Sequence, residues 1–371
     1  MTNERIAPRR LLSGKPLARL SILAAAAACL SASYAIAEPG KYLKQPDAWF
    51  AGNEASQIAA NILSWQTDLG GWPKNENTTA GPYTGDRQKL KATYDNRATT
   101  DELRFLARMY AASNDTAYRV AFERGLDYVL AGQYANGGWP QSHPPGKGYH
   151  RHITFNDDAM VRLMAFVREV ATAKGYAFVD ETRRKRAAAA FDRGLACILK
   201  CQIRVNDKPT VWCAQHDEID FRPRPARTFE LATLSGSESV GITRLLMDLD
   251  DPSPEVVRSV EGAVAWFEKA KLTGLRVVSQ KDEKGPKGVN KVVVNDPSAP
   301  PLWARFYDIE TNRPVFADRD GVAKPALADI GYERRNGYAW YGTWPQKLLE
   351  VEYPAWKKRV EAGGAARESR G

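Results

Sequence analysis

Gln66-Thr67-Asp68-Leu69-Gly70-Gly71-Trp72-Pro73-Lys74 and Gln133-Tyr134-Ala135-Asn136-Gly137-Gly138-Trp139-Pro140-Gln141 are two copies of one phrase, set about 67 residues apart. A third, degenerate copy runs Cys201-Gln202, then a longer loop, then Trp212-Cys213-Ala214-Gln215. Recurrence at a fixed period means that one supersecondary unit is used several times, and it decides the fold before any single segment does.

Outward from the phrase, each copy has a helix on either side. Ile62, Leu63 and Trp65 precede the first glutamine, and Leu126, Val129 and Leu130 precede the second. After the first phrase, Thr99-Thr100-Asp101-Glu102 reads as a capping box ahead of Leu103, Leu106, Ala107 and Tyr110 at helical spacing. Asn156-Asp157-Asp158 stands before Val161, Met164 and Val167, and Ser235-Gly236-Ser237-Glu238 is a second capping box before Ile242, Leu245 and Leu246. Three such hairpins predict a mainly α protein, an (α/α)3 toroid. Short turns such as Ala112 to Asp115 join one hairpin to the next, whereas about thirty residues join the two helices of the first. The long loops therefore share one rim, the usual place for function on a rigid scaffold. After a helix around Val256 to Lys271 the pattern changes to short strands around 275–320. Among them are Val277-Val278, Val292 to Val294, and a hairpin of Trp303 to Glu310 with Arg313 to Asp318 turned at Thr311-Asn312. A last helix is expected over Trp344 to Arg359.

Residues 1–37 have the layout of a secretory signal peptide: Arg5, Arg9, Arg10, Lys15 and Arg19, then an apolar run from Leu20, ending Ala35-Ile36-Ala37. Its removal deletes those five positive charges and Glu4, so the formal charge of +9 falls to about +5. That suits an anionic partner. Nucleic acid is not expected, because the basic residues are dispersed and the chain is exported to the periplasm or beyond. No other segment can span a membrane, and residues 38–371 read as one toroidal domain, expected to be monomeric. Of the cysteines left after processing, Cys201 and Cys213 could close a short loop in an oxidising compartment.

Several rim residues stand out. Asp95-Asn96 and Asn156-Asp157-Asp158 both precede a helix, so capping is the plain reading. Thr99 can cap the first of these helices, however, and carboxylates from neighbouring repeats on one rim can share a hard cation. Lys200 occupies a position that the other copies fill with Ser64 and Ala131, and Arg222, Arg224 and Arg227 lie in the third loop. Arg305 and Arg319 would face each other across the proposed hairpin if its loop held three residues, and stand about one place out of register otherwise. Like charges so placed need an anion between them, either Asp308, Asp318 or Asp320, or a substrate carboxylate. His143, His150, His152 and His216 read as loop residues.

Seven stretches together resemble the pectate lyases of polysaccharide lyase family ten over nearly the whole mature chain. They are GGWPKN (70–75), YDNRATT (94–100), GGWPQ (137–141), TFNDDAM (154–160), RTFELATLSGSES (227–239), RFYDIETNRPVFADRDG (305–321) and ERRNGYAWYGTWP (333–345). The resemblance implies a calcium-assisted lyase that cleaves α-1,4-linked polygalacturonate by β-elimination to unsaturated products. It gives Arg227 as the proton-abstracting residue, Asp157 and Asp95 as the metal carboxylates, and Lys200, Arg305 and Arg319 as binders of substrate carboxylates. Arg97 stands where the family commonly has glycine. Rival readings are an inverting glycoside hydrolase using Asp95 and Asp157 as acid and base, a terpene cyclase, which the secretory signal disfavours, and a non-catalytic binder of acidic polysaccharide.

Overall fold

The computed structural model describes residues 39–368, the side chains of 363–368 excepted. The expected signal peptide lies outside the described residues. The described residues form one compact unit. Six helices carry the repeats: α1 Asn53–Ser64, α2 Thr100–Ser113, α3 Thr116–Ala131, α4 Ala159–Thr172, α5 Glu181–Cys201 and α6 Glu238–Met247. They form the three predicted hairpins of the (α/α)3 toroid. α2, α4 and α6 pack side by side as an inner row, and α1, α3 and α5 as an outer one. Sequence accounts for the division. α4 buries Met160, Leu163, Met164, Phe166, Val167 and Val170, whereas α5 presents small residues inward, Ala187, Ala190 and Gly194.

The repeated phrase is a set of struts. Gln66 Nε2 donates to the carbonyls of Gly70 (2.7 Å) and Ala121 (2.8 Å) in α3, Gln133 to Gly137 (2.9 Å) and Ala190 (2.8 Å) in α5, and Gln202 to Thr210 (2.8 Å) and Ser259 (2.9 Å). Each glutamine thus closes its own loop and reaches the next outer helix. The indoles of the buried Trp72, Trp139 and Trp212 donate to Ile62, Val129 and Ile198, back in the helix each phrase follows. Gly70 and Gly137 are required here: both have left-handed φ (+103° and +96°), and a Cβ would collide with the carbonyl of Arg124 or Arg193.

Ser259 belongs to a seventh helix, α7 (Pro254–Lys269), which prolongs the outer row. Its Phe267 carbonyl accepts from the indole of a fourth buried tryptophan, Trp303, at 2.8 Å. Between them rises a ribbon of two antiparallel strands, Leu275–Lys281 and Val289–Asn295, in register Leu275↔Asn295 to Lys281↔Val289. Neighbouring loops on the rim are stitched by two-residue pairings: Ile153-Thr154 with Gln215-His216, Leu234-Ser235 with Phe306-Tyr307, and Trp303-Ala304 with Tyr341-Gly342. Beside the main core lies a smaller one of Phe229, Phe306, Phe316, Leu327, Ile330, Tyr338 and Trp340. The described residues end in a helix, Tyr353–Glu368, preceded by one wider turn at Leu348–Glu352. No helix among the described residues is long and apolar enough to cross a membrane.

Two expectations are corrected, and a bridge that the sequence left open is absent. Cys201 and Cys213 are not bridged; both are buried free thiols, as is Cys197. Thr99 makes no side-chain cap, because its hydroxyl accepts from Trp72 N and donates to the Thr93 carbonyl, both at 2.9 Å. The turn before Arg313 forms, with Phe306 to Asp308 bonded to Arg313 to Val315. The strands then part, and Phe316-Ala317 pairs instead with Ala323-Lys324.

Candidate active site

The ends of the first two long loops are built alike. Asp95-Asn96-Arg97 and Asn156-Asp157-Asp158 are single tight turns whose middle residue is left-handed, Asn96 at φ +51° and Asp157 at φ +51°. Asn and Asp tolerate this conformation better than other non-glycine residues. Arg97, at φ +70°, has the backbone that favours glycine. Neither Asp157 nor Asp158 caps α4 through its side chain, so the capping reading fails where it was plainest. Asp157 is left on the rim with its carboxylate 43 % exposed, accepting from Asn156 Nδ2 at 2.7 Å and lying 3.5 Å from Arg305 Nη2. Asp95 differs. It is buried, its Oδ2 lies 2.5 Å from Lys74 Nζ, and its Oδ1 accepts from Asn96 N at 2.9 Å.

From Asp157 a belt of arginines runs over the small core. Arg305 donates to the carboxylate of Glu238, the first residue of α6. Burial alone would lower the pKa of Arg305, but the charges of Glu238, Tyr338 and Asp157 outweigh it and hold the guanidinium protonated above the usual arginine range. Its Cζ lies 4.9 Å from the centroid of the Tyr338 ring, and the Cζ of Arg227 lies 5.7 Å from the same ring. Arg227 forks onto Glu230, with Nε at 2.8 Å from Oε2 and Nη2 bonded to Oε1, while the Tyr338 hydroxyl donates to Glu230 Oε1 at 2.7 Å. Burial pushes the Glu230 carboxyl up, yet these bonds more than offset it and leave it below the ordinary glutamate value. Arg227 also stacks on Phe229 at 4.9 Å, and Arg334 covers that ring at 4.5 Å. Arg334 in turn pairs with Glu333, which Arg319 approaches at 3.1 Å. Fixed guanidinium groups on aromatic supports, with one open carboxylate beside them, suit a polyanion whose carboxylates are held at set intervals.

The structure therefore brings Asp157, Arg227 and Arg305 together and leads from them to Arg319. It does not set Arg305 opposite Arg319: after Val315 the strands part, so each arginine takes its own carboxylate, Glu238 or Glu333, in place of the Asp308, Asp318 or Asp320 expected between them. Lys200 stands apart, exposed, with Nζ 5.5 Å from the Phe221 ring. Among the described residues, the group able to offer three ligand atoms to a metal is His152, Asp217 and Glu218, all within 4.8 Å. Its carboxylates are already engaged, Glu218 with Arg151 (2.5 Å) and His152 (2.7 Å), and Asp217 with Arg224 (2.7 Å). Sequence reasoning missed Lys74, Glu230, Arg334 and Tyr338. All four lie inside the stretches that carried the resemblance, which is the signal that pointed to them.

The family model described as pectic acid lyase matches residues 66–349. The chain belongs to the pectic acid lyase family. It is a pectate lyase, so the hydrolase and passive-binder readings are set aside. Among solved structures, the lyase is similar to the family 10 polysaccharide lyase from Cellvibrio cellulosa at 33 % identity and a TM-score of 0.71, over 83 % of this chain and 96 % of that one. It is equally similar to an alanine-substituted form of that enzyme in complex with trigalacturonic acid, at 33 % identity and a TM-score of 0.72, over 83 % and 97 %. No curated protein matches it.

Proposed function

We propose that this lyase is exported as a monomer and cleaves α-1,4-linked polygalacturonate by calcium-assisted β-elimination, releasing unsaturated oligogalacturonides. The observation that carries the reading is the shared ring of Tyr338, with Arg227 and Arg305 both over it and Asp157 beside Arg305. A relative of this fold in complex with trigalacturonic acid supports an oligogalacturonate as the ligand.

Arg305, locked by Glu238, would bind the carboxylate of the sugar to be cleaved, with Lys200 and Arg319 engaging neighbouring carboxylates. Neutralising that carboxylate makes the carbon next to it more acidic and stabilises the charge of the transition state. Arg227, orientated by Glu230 and Phe229, would accept the proton from that carbon. The electron pair left behind forms the new C=C bond as the glycosidic C–O bond breaks, and the departing oxygen gains a proton. An arginine is ordinarily protonated. It serves as a base only through its neutral form, so substrate must weaken its fork to Glu230.

The residues fit a hard cation unequally. Asp157 offers a half-exposed carboxylate, whereas Asp95 joins only if Lys74 gives way. Calcium takes six to eight oxygens, so substrate carboxylates and water would complete the set. Bound there, the ion would supply further positive charge to the substrate carboxylate. The test is incubation of the purified protein with polygalacturonate, with and without chelator, while the absorbance of unsaturated uronides is followed. Saturated products, or full activity after exhaustive chelation, would overturn the elimination or the calcium respectively.

A further inference from the structure

The two-stranded ribbon between α7 and Trp303 is an addition to the toroid, and it is the most lysine-rich part of the rim. An isolated two-stranded ribbon is marginal in water, so its bracing matters. The braces come from the short helix Tyr332–Gly337 and the residue after it. The Tyr332 hydroxyl donates to the Val289 carbonyl (2.6 Å), Lys291 N donates to Asn336 Oδ1 (2.7 Å), and Arg335 Nε donates to Asn290 Oδ1 (2.9 Å). Lys291 Nζ lies 3.5 Å from the carbonyl of Tyr338, the residue whose ring carries Arg227 and Arg305. The same helix holds Glu333 and Arg334. The ribbon therefore lies along this helix beside the arginine belt, from Lys291 at Tyr338 to its tip, where Lys287 N donates to the Tyr332 hydroxyl at 3.1 Å.

Its tip is ordered, with Asp282 Oδ1 accepting from Lys284 N (3.2 Å) and Gly285 N (3.0 Å). Arg276 is neutralised by Asp296 and Lys281 by Glu283, both at 2.6 Å. Lys284 and Lys287 are exposed and carry no ion pair among the described residues. At roughly 3.4 Å per residue, Lys287 sits on the order of 10–15 Å beyond Lys291.

We propose that this ribbon is an ancillary arm that binds the polygalacturonate chain beyond the sugars at the cleavage site, with Lys284 and Lys287 meeting its distal carboxylates. The proposal rests on the substrate reading above. A chain with one negative charge per sugar, seated on the belt, continues past Tyr338 toward these two uncompensated charges at the ribbon tip. Lysine suits such a role, since a mobile point charge binds a sliding polyanion in any register, whereas the forked arginines of the belt fix one.

The test compares wild type with Lys284→Ala/Lys287→Ala on long polygalacturonate and on trigalacturonic acid, in rising salt. Two exposed charge contacts predict a rise of about three- to tenfold in KM on the polymer. Alongside it, kcat should stay unchanged, trigalacturonic acid kinetics should not move, and the salt dependence should be shallower; Lys284→Arg/Lys287→Arg should restore the polymer KM. No change on the polymer overturns the arm. Equal loss on both substrates also overturns it, because the ribbon would then act by bracing Tyr338. Wild type that binds polymer without cleaving it would defeat the lyase reading instead, and retardation of the two proteins in polygalacturonate-containing gels would then decide the arm by itself.

Discussion

Arg305 donates to Glu238 across the boundary between the third repeat and the C-terminal region, and both side chains are withdrawn from water, 12 % and 2 % exposed. A buried guanidinium robbed of its partner is left uncompensated. Glu238→Gln should therefore destabilise the fold by about 3 kcal/mol, read as a lower urea midpoint. It should also raise KM on polygalacturonate as Arg305 loses its orientation. An unchanged midpoint would mean that Asp157 alone suffices as the counter-charge.

Asp157 should be probed with asparagine, which tolerates the left-handed backbone that alanine would strain. Asp157→Asn should lose roughly a hundredfold or more in kcat/KM while keeping the helical circular dichroism of wild type. Added calcium should stimulate wild type far more than the variant. Equal stimulation of both would move the metal to other ligands.

For Arg227, Arg227→Ala should lower kcat by roughly two to four powers of ten with little change in KM, and Arg227→Lys should not rescue it. Activity of the wild type should rise toward alkaline pH, where the neutral fraction of an arginine base grows. A variant with a raised KM and intact kcat would recast Arg227 as a binder. Loss in Arg222→Ala or Arg224→Ala with retained Arg227→Ala activity would move the base elsewhere in the cluster.

Burial, aided by the neighbouring Asp101 charge, raises the Glu102 carboxyl from 4.5 to about 8, against the opposing pull of backbone amides and the Thr78 hydroxyl. The folded state then holds a proton that the unfolded chain releases above pH 4.5. Its contribution is fully present below that pH and is lost as pH rises through about 8. Glu102→Gln removes the titration but keeps an acceptor for Thr78. Its unfolding free energy should fall less steeply over this window than that of wild type, as chemical denaturation at successive pH values would measure. Parallel slopes would show that Glu102 titrates normally.

The toroid was legible because Gly-Gly-Trp-Pro is needed locally, for left-handed glycines and an indole strut, at every place it occurs. The fourth tryptophan escaped for a physical reason. The indole and its acceptor are 10 residues apart for Trp72 and Trp139, 14 for Trp212, and 36 for Trp303, where the ribbon intervenes. Asp157, Arg227 and Arg305 could be singled out from motif matches. Their partners could not, because Glu238 reads locally as part of a capping box and Tyr338 lies 108 residues from the Glu230 it bonds. Opposing Arg305 and Arg319 assumed that a strand pair, once begun, continues. The real pair stops at Val315 because Phe316 and Ala317 are better buried in the small core.

Those four indole struts have a further consequence for how such a chain can change. Each fastens the far end of a loop to the helix it left, so the cost of closing the loop grows only slowly with its length. Sequence can be spliced in between helix and tryptophan without disturbing the rows of helices, as the span from α7 to Trp303 already demonstrates. The third copy offers such a graft point between Gln202 and Thr210, where a longer loop already lies, whereas Gly70 and Gly137 close the first two copies to insertion.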